Sequence, residues 1–228
     1  EPLLNMDVIK FTIEYMKNHY PEFNVFYSIT TNGTILNDDI IQLFRDNSIA
    51  VLVSIDGPDN DYNLRCYKNG KKSLSKVISN IEKLKENGIR TELRATIVNT
   101  NPYICETFNF LETFKLPFFV SFSYPSENKL HNLSDYNEDI LLSIRKQFGL
   151  LLEYYLNKFK NKENIYNKRL FDYLDALRYR TGTGVACGAG RSYFTITANG
   201  DIFSCPHFMN DLQYCIGNIK TELLENTK

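Results

Sequence analysis

Ala50-Val51-Leu52-Val53-Ser54-Ile55 runs almost without interruption as an apolar segment into Asp56-Gly57-Pro58. Such a short aliphatic run, stopped by Gly-Pro, reads as a strand buried on both faces. The same rhythm recurs on either side. Upstream, Val25 to Ile29 is a second short apolar run, followed by the turn Thr30-Thr31-Asn32-Gly33-Thr34, whose Asn and Gly tolerate left-handed backbone. Asn37-Asp38-Asp39 then caps a helix through Phe44, with Ile40, Ile41 and Phe44 inward. Before all of these, Met6 to Tyr20 places Val8, Ile9, Phe11, Ile13 and Met16 near helical spacing, with Asn5 as cap and Pro21 as stop.

Downstream, Ser73 can cap a helix in which Val77, Ile78, Ile81 and Leu84 share a face, and Asn87-Gly88 ends it. Thr91 to Val98 is the next strand, Ile104 to Phe114 the next helix, and Phe118 to Phe122 a fourth strand closed by Tyr124-Pro125. Apolar strands alternating with amphipathic helices predict an α/β fold: a parallel sheet with helices outside. Pattern alone does not separate a closed barrel from an open sheet. In both, ligands sit at the carboxyl ends of the strands, which selects Thr31, Asn32, Ser54, Asp56 and Ser123 as site-facing positions.

The rhythm changes after Pro125. Residues 126–136 are polar and loop-like, Asp139 to Phe159 and Arg169 to Arg180 read as helices, and Thr181-Gly182-Thr183-Gly184 as a hinge. In the long helix Leu141, Leu142, Ile144, Phe148, Leu151, Leu152 and Tyr155 are the apolar positions. Then comes a hairpin, Tyr193 to Thr197 and Ile202 to Ser204, around Ala198-Asn199-Gly200-Asp201. Cys187 and Cys205 flank it, so its closure brings two thiols towards one place. Thiolates select zinc or an iron–sulfur cluster, and two are too few for either; His207 is the nearest further candidate. The plain alternative is a pair of buried thiols. Cys66 and Cys105 have no partner at ligand spacing.

The chain has 228 residues, with 26 basic and 27 acidic side chains. That balance gives no support to a nucleic-acid or anionic-membrane partner. No stretch is long and apolar enough to span a bilayer, no signal peptide is visible, and five cysteines are too sparse and odd in number for a disulfide scaffold. A cytoplasmic location is the expectation. The opening Glu1-Pro2-Leu3-Leu4 starts in mid-motif, so a piece of a longer protein is expected.

Five segments, in order, resemble a radical S-adenosylmethionine (SAM) enzyme with a C-terminal SPASM domain. Glu1-Pro2-Leu3-Leu4-Asn5 is similar to the end of the family's Gly-Gly-Glu-Pro-Leu-Leu motif. Thr31-Asn32-Gly33-Thr34 resembles its third-strand turn, and Ser54-Ile55-Asp56-Gly57-Pro58 its fourth-strand motif. Cys187 to Cys205, with Gly200 between, fits the opening of a SPASM domain, and Ile216-Gly217-Asn218-Ile219 fits the segment that follows.

The resemblance implies a partial (β/α) barrel holding that family's third to sixth strands, then helices and the start of a SPASM domain. The implied division is a barrel portion at 1–125, a helical linker at 126–180 and a SPASM start at 181–228. It implies that Glu1 receives the amino group of SAM and that Ser54 meets its ribose or carboxylate. It implies that Arg94 pairs with the carboxylate, Thr31 lies at the same site, and Cys187 and Cys205 are auxiliary-cluster ligands. For Arg94 the plain reading is a strand-edge arginine paired to Glu92 or solvent, and for Ser54 a backbone-bonded hydroxyl. Asp56 could bind ribose or make an Asx turn before Gly57-Pro58. The implied cofactors are SAM and [4Fe–4S] clusters. The family's C-x3-C-x2-C loop for the catalytic cluster does not occur in this sequence, so the chain by itself is not expected to cleave SAM.

In the parent enzyme, one electron from the reduced cluster would break the sulfonium, and the resulting 5′-deoxyadenosyl radical would take a hydrogen from the substrate. A peptide or protein substrate and a reductant such as a flavodoxin or ferredoxin are implied as partners. Within the superfamily the sulfatase-maturing branch carries Asp directly after the second SPASM cysteine; here that residue is Pro206, closer to maturases that crosslink ribosomally made peptides, including thioether formers. The competing readings are a non-catalytic peptide-binding relic of the scaffold, a sulfatase-type maturase, and an unrelated β/α-barrel hydrolase or aldolase with a zinc hairpin.

Overall fold

A computed structural model describes residues 1–59, 62–123, 135–179, 188–209 and 211–220. Two compact units divide the chain, residues 1–172 and 173–228.

In the first unit a 3-10 turn, Pro2–Leu4, leads to helix α1 (Met6–His19). Then strands β1 (Ser28–Thr31), β2 (Ala50–Ser54), β3 (Thr91–Ile97) and β4 (Phe118–Phe122) alternate with α2 (Asp38–Asp46), α3 (Leu74–Glu86) and α4 (Ile104–Thr113). The long helix α5 (Glu138–Lys160) follows, and α6 (Lys168–Tyr179) starts in this unit and ends in the next. The four strands lie in the order β1-β2-β3-β4, all parallel. The predicted α/β architecture is therefore present, as a parallel sheet with helices. Phe118 N–H donates to Tyr166 O, and Asn167 forms a parallel bridge to Phe118, extending the sheet briefly beyond β4.

Burial alternates with a period of two along β2 and β3. Val51, Val53, Leu93, Ala95 and Ile97 are at most 1 % exposed and pack with Ile40, Phe44, Val77, Ile81, Leu84, Ile104, Leu111 and Phe118 into one core. Their neighbours Leu52, Ser54, Glu92, Arg94 and Thr96 are half-buried and point to the other face. Strict register carries this division across the sheet: Ser54 is level with Arg94, and Arg94 with Phe119. Val77, Ile81 and Leu84 of α3 and Ile40, Ile41 and Phe44 of α2 are buried, as their spacing predicts.

Differences from the sequence expectations have local causes. The first strand begins at Ser28 rather than Val25, because pairing starts where Ser28 meets Ala50, and Phe26 is 85 % exposed. Asn37 does cap α2, accepting from Ile40 N–H at 2.9 Å. Asn5 makes no side-chain cap bond, and Ser73 instead donates its hydroxyl to Arg65 O at 3.3 Å. Only Ile13 of α1 is buried, while Val8 and Phe11 are exposed. Of the α5 apolar positions, Ile144, Leu151 and Tyr155 are buried, and Leu141, Leu142, Phe148 and Leu152 are exposed.

Helix α4 has no side-chain cap of its own. Gln147 of α5 supplies one: its Oε1 accepts from Ile104 N–H at 2.6 Å and Cys105 N–H at 3.1 Å, while its Nε2 donates to Pro102 O at 2.9 Å. These are two of the donors that a helix start leaves without intrahelical partners.

In the second unit β5 (Thr195–Ile196), β6 (Asp201–Phe203) and β7 (Cys215–Asn218) form an antiparallel sheet in the order β5-β6-β7. The expected hairpin is its β5–β6 half, and the Ile216-Gly217-Asn218 segment supplies the third strand. Ile202 and Phe203 are its buried apolar residues. The expected hinge at Thr181–Gly184, the Tyr124-Pro125 closure and Cys187 lie outside the described residues.

Candidate functional site

The turn after β1 is built by its own side chains. Gly33 has φ +72°, and a Cβ there would lie 2.8 Å from Val53 Cγ1, so a side chain would meet both backbone strain and a clash. Asn32 Oδ1 accepts from Thr34 N–H at 2.9 Å and from the Thr34 hydroxyl at 2.7 Å. Thr31 Oγ1 accepts from Gly33 N–H at 3.1 Å, and Asn80 Nδ2 donates to Gly33 O at 2.8 Å.

Glu1 is held on this turn. Its Oε1 accepts from the Thr31 hydroxyl at 2.8 Å and from Leu3 N–H at 3.2 Å, and its Oε2 accepts from Asn32 N–H at 2.8 Å. Three donors fix a carboxylate that stays exposed to solvent. A placed, accessible carboxylate at a strand's carboxyl end can receive an ammonium group. Glu1 and Thr31 therefore meet, with Thr31 buried and positioning the acid.

Ser54 and Arg94 form a second pair. They are register partners at the end of β2 and the middle of β3, on the face opposite the helix-packed core. The Arg94 guanidinium carbon lies 5.6 Å from the Phe119 ring centroid. Its Nε is buried and has no hydrogen-bond partner. Buried donors without partners are uncommon and costly, so this nitrogen fits a ligand acceptor. The plain alternative for Arg94, a pair with Glu92, is not formed: Glu92 binds Lys168, with Nζ 3.1 Å from both carboxylate oxygens, and lies 3.8 Å from Arg90 Nη2.

Asp56 makes no Asx turn. It pairs with Arg65, with Nε at 2.7 Å and Nη2 at 3.1 Å, and accepts from Thr96 N–H at 3.0 Å. These bonds tie the loop after β2 to β3. Gly57 allows the close pass of this loop, since a Cβ there would lie 2.4 Å from Tyr62 Cβ. Ser123 Oγ lies 3.0 Å from the Tyr136 hydroxyl, which donates to Ile97 O at 2.7 Å.

The partners Arg65, Phe119 and Lys168 carry no local signal in sequence; register and crossover packing bring them in. A further cluster joins α4 and α5: Lys158 Nζ lies 2.8 Å from Glu112 Oε2, and the Tyr155 hydroxyl donates to Glu112 Oε1 at 3.3 Å. Burial and the neighbouring Glu112 push the Tyr155 phenol well up. For Lys158 burial works downward, but bonds to Glu112 and Tyr154 outweigh it and raise the ammonium. Burial and Glu106 raise the Cys105 thiol, which suits an inert structural cysteine.

In the second unit Cys205 leaves β6 at the start of the 3-10 turn Pro206–Phe208, and its Sγ accepts from the Tyr193 hydroxyl at 3.7 Å. Cys215 opens β7 opposite Phe203 and donates to Gly217 O at 3.3 Å. Among the described residues no group of three His, Cys, Asp or Glu side chains could hold a metal ion. The described thiols thus do not by themselves make an iron–sulfur site. No helix among the described residues is long and apolar enough to cross a membrane.

The radical SAM superfamily model matches residues 1–111, and the SPASM model, an iron–sulfur cluster-binding domain, matches residues 187–227. An uncharacterised protein of Methanocaldococcus jannaschii is 29 % identical over 96 % of this chain and 70 % of its own length. A cysteine-type anaerobic sulfatase-maturating enzyme of Clostridium novyi is 26 % identical over 96 % of this chain and 59 % of its own. The solved structure of native anSMEcpe with bound AdoMet and Cp18Cys peptide superposes with a TM-score of 0.79 at 18 % identity, covering 98 % of this chain and 63 % of that one. The chain thus spans roughly six to seven tenths of the length of these relatives. The cofactors expected from sequence, SAM and iron–sulfur clusters, are those of the two matched families. The chain therefore carries a radical SAM region at residues 1–111 and, after it, a SPASM region at residues 187–227.

Proposed function

We propose that this chain is the SAM-binding portion of a radical SAM enzyme that modifies a ribosomally made peptide or protein. The observation that carries the reading is the buried, unpartnered Nε of Arg94, level with the Ser54 hydroxyl. Arg94 would take the methionyl carboxylate, because a guanidinium fork matches a carboxylate. Ser54 would donate to the ribose or the same carboxylate. Glu1, positioned by Thr31 and Asn32, would accept the α-ammonium. SAM held by these residues would supply, on one-electron reduction with loss of methionine, a 5′-deoxyadenosyl radical for hydrogen abstraction from the substrate. This chain's residues bind and orient SAM by its charged ends.

A peptide substrate is supported by the superposing structure of anSMEcpe with bound Cp18Cys peptide. Cys187 and Cys205 would hold part of an auxiliary cluster, with further ligands from elsewhere, and a flavodoxin- or ferredoxin-type reductant in the cytoplasm would supply electrons. The corresponding division is 1–125 barrel portion, 126–180 helical linker and 181–228 SPASM start. A sulfatase-type maturase is the second reading, favoured by the relative in Clostridium novyi. Pro206, where that branch carries Asp, counts against it.

Isothermal titration of SAM into the anaerobically reconstituted full-length protein tests the assignment. Arg94→Gln should weaken binding at least tenfold, the loss of a charge-assisted hydrogen bond. Unchanged SAM affinity in Arg94→Gln would remove Arg94 from the site, and absence of 5′-deoxyadenosine after addition of dithionite would remove the enzyme reading.

A further inference from the structure

A second guanidinium lies beside the face of the sheet that bears Arg94. Arg169, in the first turn of α6, places its Cζ 5.8 Å from the centroid of the same Phe119 ring that Arg94 approaches at 5.6 Å. Both distances lie within the range at which a ring face attracts a cation. The nearby acid is already engaged: Glu92 accepts from Lys168 through both oxygens. The remaining carboxylate near Arg169 is Asp172, at 3.9 Å, with both side chains about half exposed, a weak exposed pair. Among the described residues no carboxylate pairs with Arg94.

Two guanidiniums held at one ring repel each other, and an anion bound by both would relieve that repulsion. The buried Nε of Arg94 has a donor to give and nothing to give it to. The hydroxyls of Ser54, Thr96 and Ser121 occupy the same face by register and alternation, and the one carboxylate placed on it, Glu92, is taken by Lys168. Planar forks of this kind recognise carboxylates through paired N–H donors.

We infer that Arg94 and Arg169 form a two-armed carboxylate site across Phe119, with Arg169 the arm that admits or rejects the ligand. Arg94 is fixed in a strand. Arg169 rides on the start of a helix that buries no residue, so it can adjust as the anion arrives. The inference rests on the SAM reading for Arg94 and goes beyond it by adding Arg169. The carboxylate could be the methionyl group of SAM or an acidic group of the substrate, and the test separates them.

Full-length protein and its Arg94→Gln, Arg169→Gln and Arg169→Lys variants are titrated with three probes. These are SAM, 5′-methylthioadenosine, which keeps the nucleoside thioether but lacks the carboxylate, and N-acetylglutamate as a free carboxylate. Each Gln variant should weaken SAM about tenfold, as expected for one charge-assisted bond. Binding of 5′-methylthioadenosine should not change, and Arg169→Lys should recover part of the loss. If both Gln variants spare SAM but abolish N-acetylglutamate binding, the two-armed site stands, its ligand is the substrate, and the SAM reading of Arg94 fails. If Arg94→Gln weakens SAM while Arg169→Gln leaves both carboxylate probes unchanged, the pairing is overturned and the SAM reading survives. If neither variant affects either carboxylate, both fail. A loss of 5′-methylthioadenosine binding equal to that of SAM in Arg169→Gln would mark a general distortion and also overturn the inference.

Discussion

Phe118 and Phe119 are neighbours in β4 with opposite duties. Phe118 is fully buried, edge-on to Phe108 at 5.6 Å between ring centres, inside the core. Phe119 is half-buried on the other face, beside two arginines. One residue of offset thus separates the surface that holds the fold from the surface that can meet a ligand. The lesson extends along the sheet: Leu93 against Arg94, and Val53 against Ser54.

The sharpest way to break this comparison is to truncate both rings. Phe118→Ala should cost about 3–5 kcal/mol in urea unfolding, the usual loss for a buried aromatic. Phe119→Ala should cost less than half of that and instead weaken carboxylate binding. Equal costs would mean that both faces serve as core. Next in size, Glu112→Gln leaves the Lys158 ammonium buried without its counter-charge and should cost about 3 kcal/mol. With Tyr155 and Lys158 both raised in the folded state, their contribution is fully present below the unfolded-state values near pH 10. It is lost as pH climbs above them. Wild-type stability should therefore fall above about pH 10, and Tyr155→Phe should flatten that fall. A wild-type profile that stays level to pH 11 contradicts the assignment.

Smaller effects sharpen the division at its edge. Gly33→Ala should cost about 1–3 kcal/mol, from left-handed backbone and the contact with Val53, and should loosen the turn that holds Glu1. Ser54→Ala, on the face that bears Arg94, should alter stability by no more than about 0.5 kcal/mol while lowering SAM affinity several-fold. A stability loss comparable to that of Gly33→Ala would show Ser54 to be structural.

Much of the fold was legible because it depends on periodicity. The α2 and α3 faces and the β4 bounds follow from spacing that any core would impose. What could not be read depends on partners distant in sequence. Asp56 offers a local Asx turn, yet Arg65 and the Thr96 amide claim it. Ser73 looks like a cap, yet Arg65 O receives its hydroxyl. The first strand starts where Ala50 can pair with it, whatever Val25 and Phe26 suggest. Glu1, Thr31, Ser54 and Arg94 stand out in the sequence as candidate residues, whereas the hydrogen bond of Thr31 to Glu1 and the register of Ser54 with Arg94 are visible only in the fold. Arg169 had no signal, because a helical arginine is ordinarily a solvated one.

The glutamine that crosses from α5 to α4 bears on the order in which the chain assembles. The first turn of α4 takes its missing acceptor from a residue 43 positions away. That end of the helix gains its bond only when α5 has already docked. Two crossover segments therefore become ordered together, and loop closure must precede the reward. The amides of Ile104 and Cys105 should accordingly gain hydrogen-exchange protection late and in step with α5, while the amides in the middle of α4 gain it earlier.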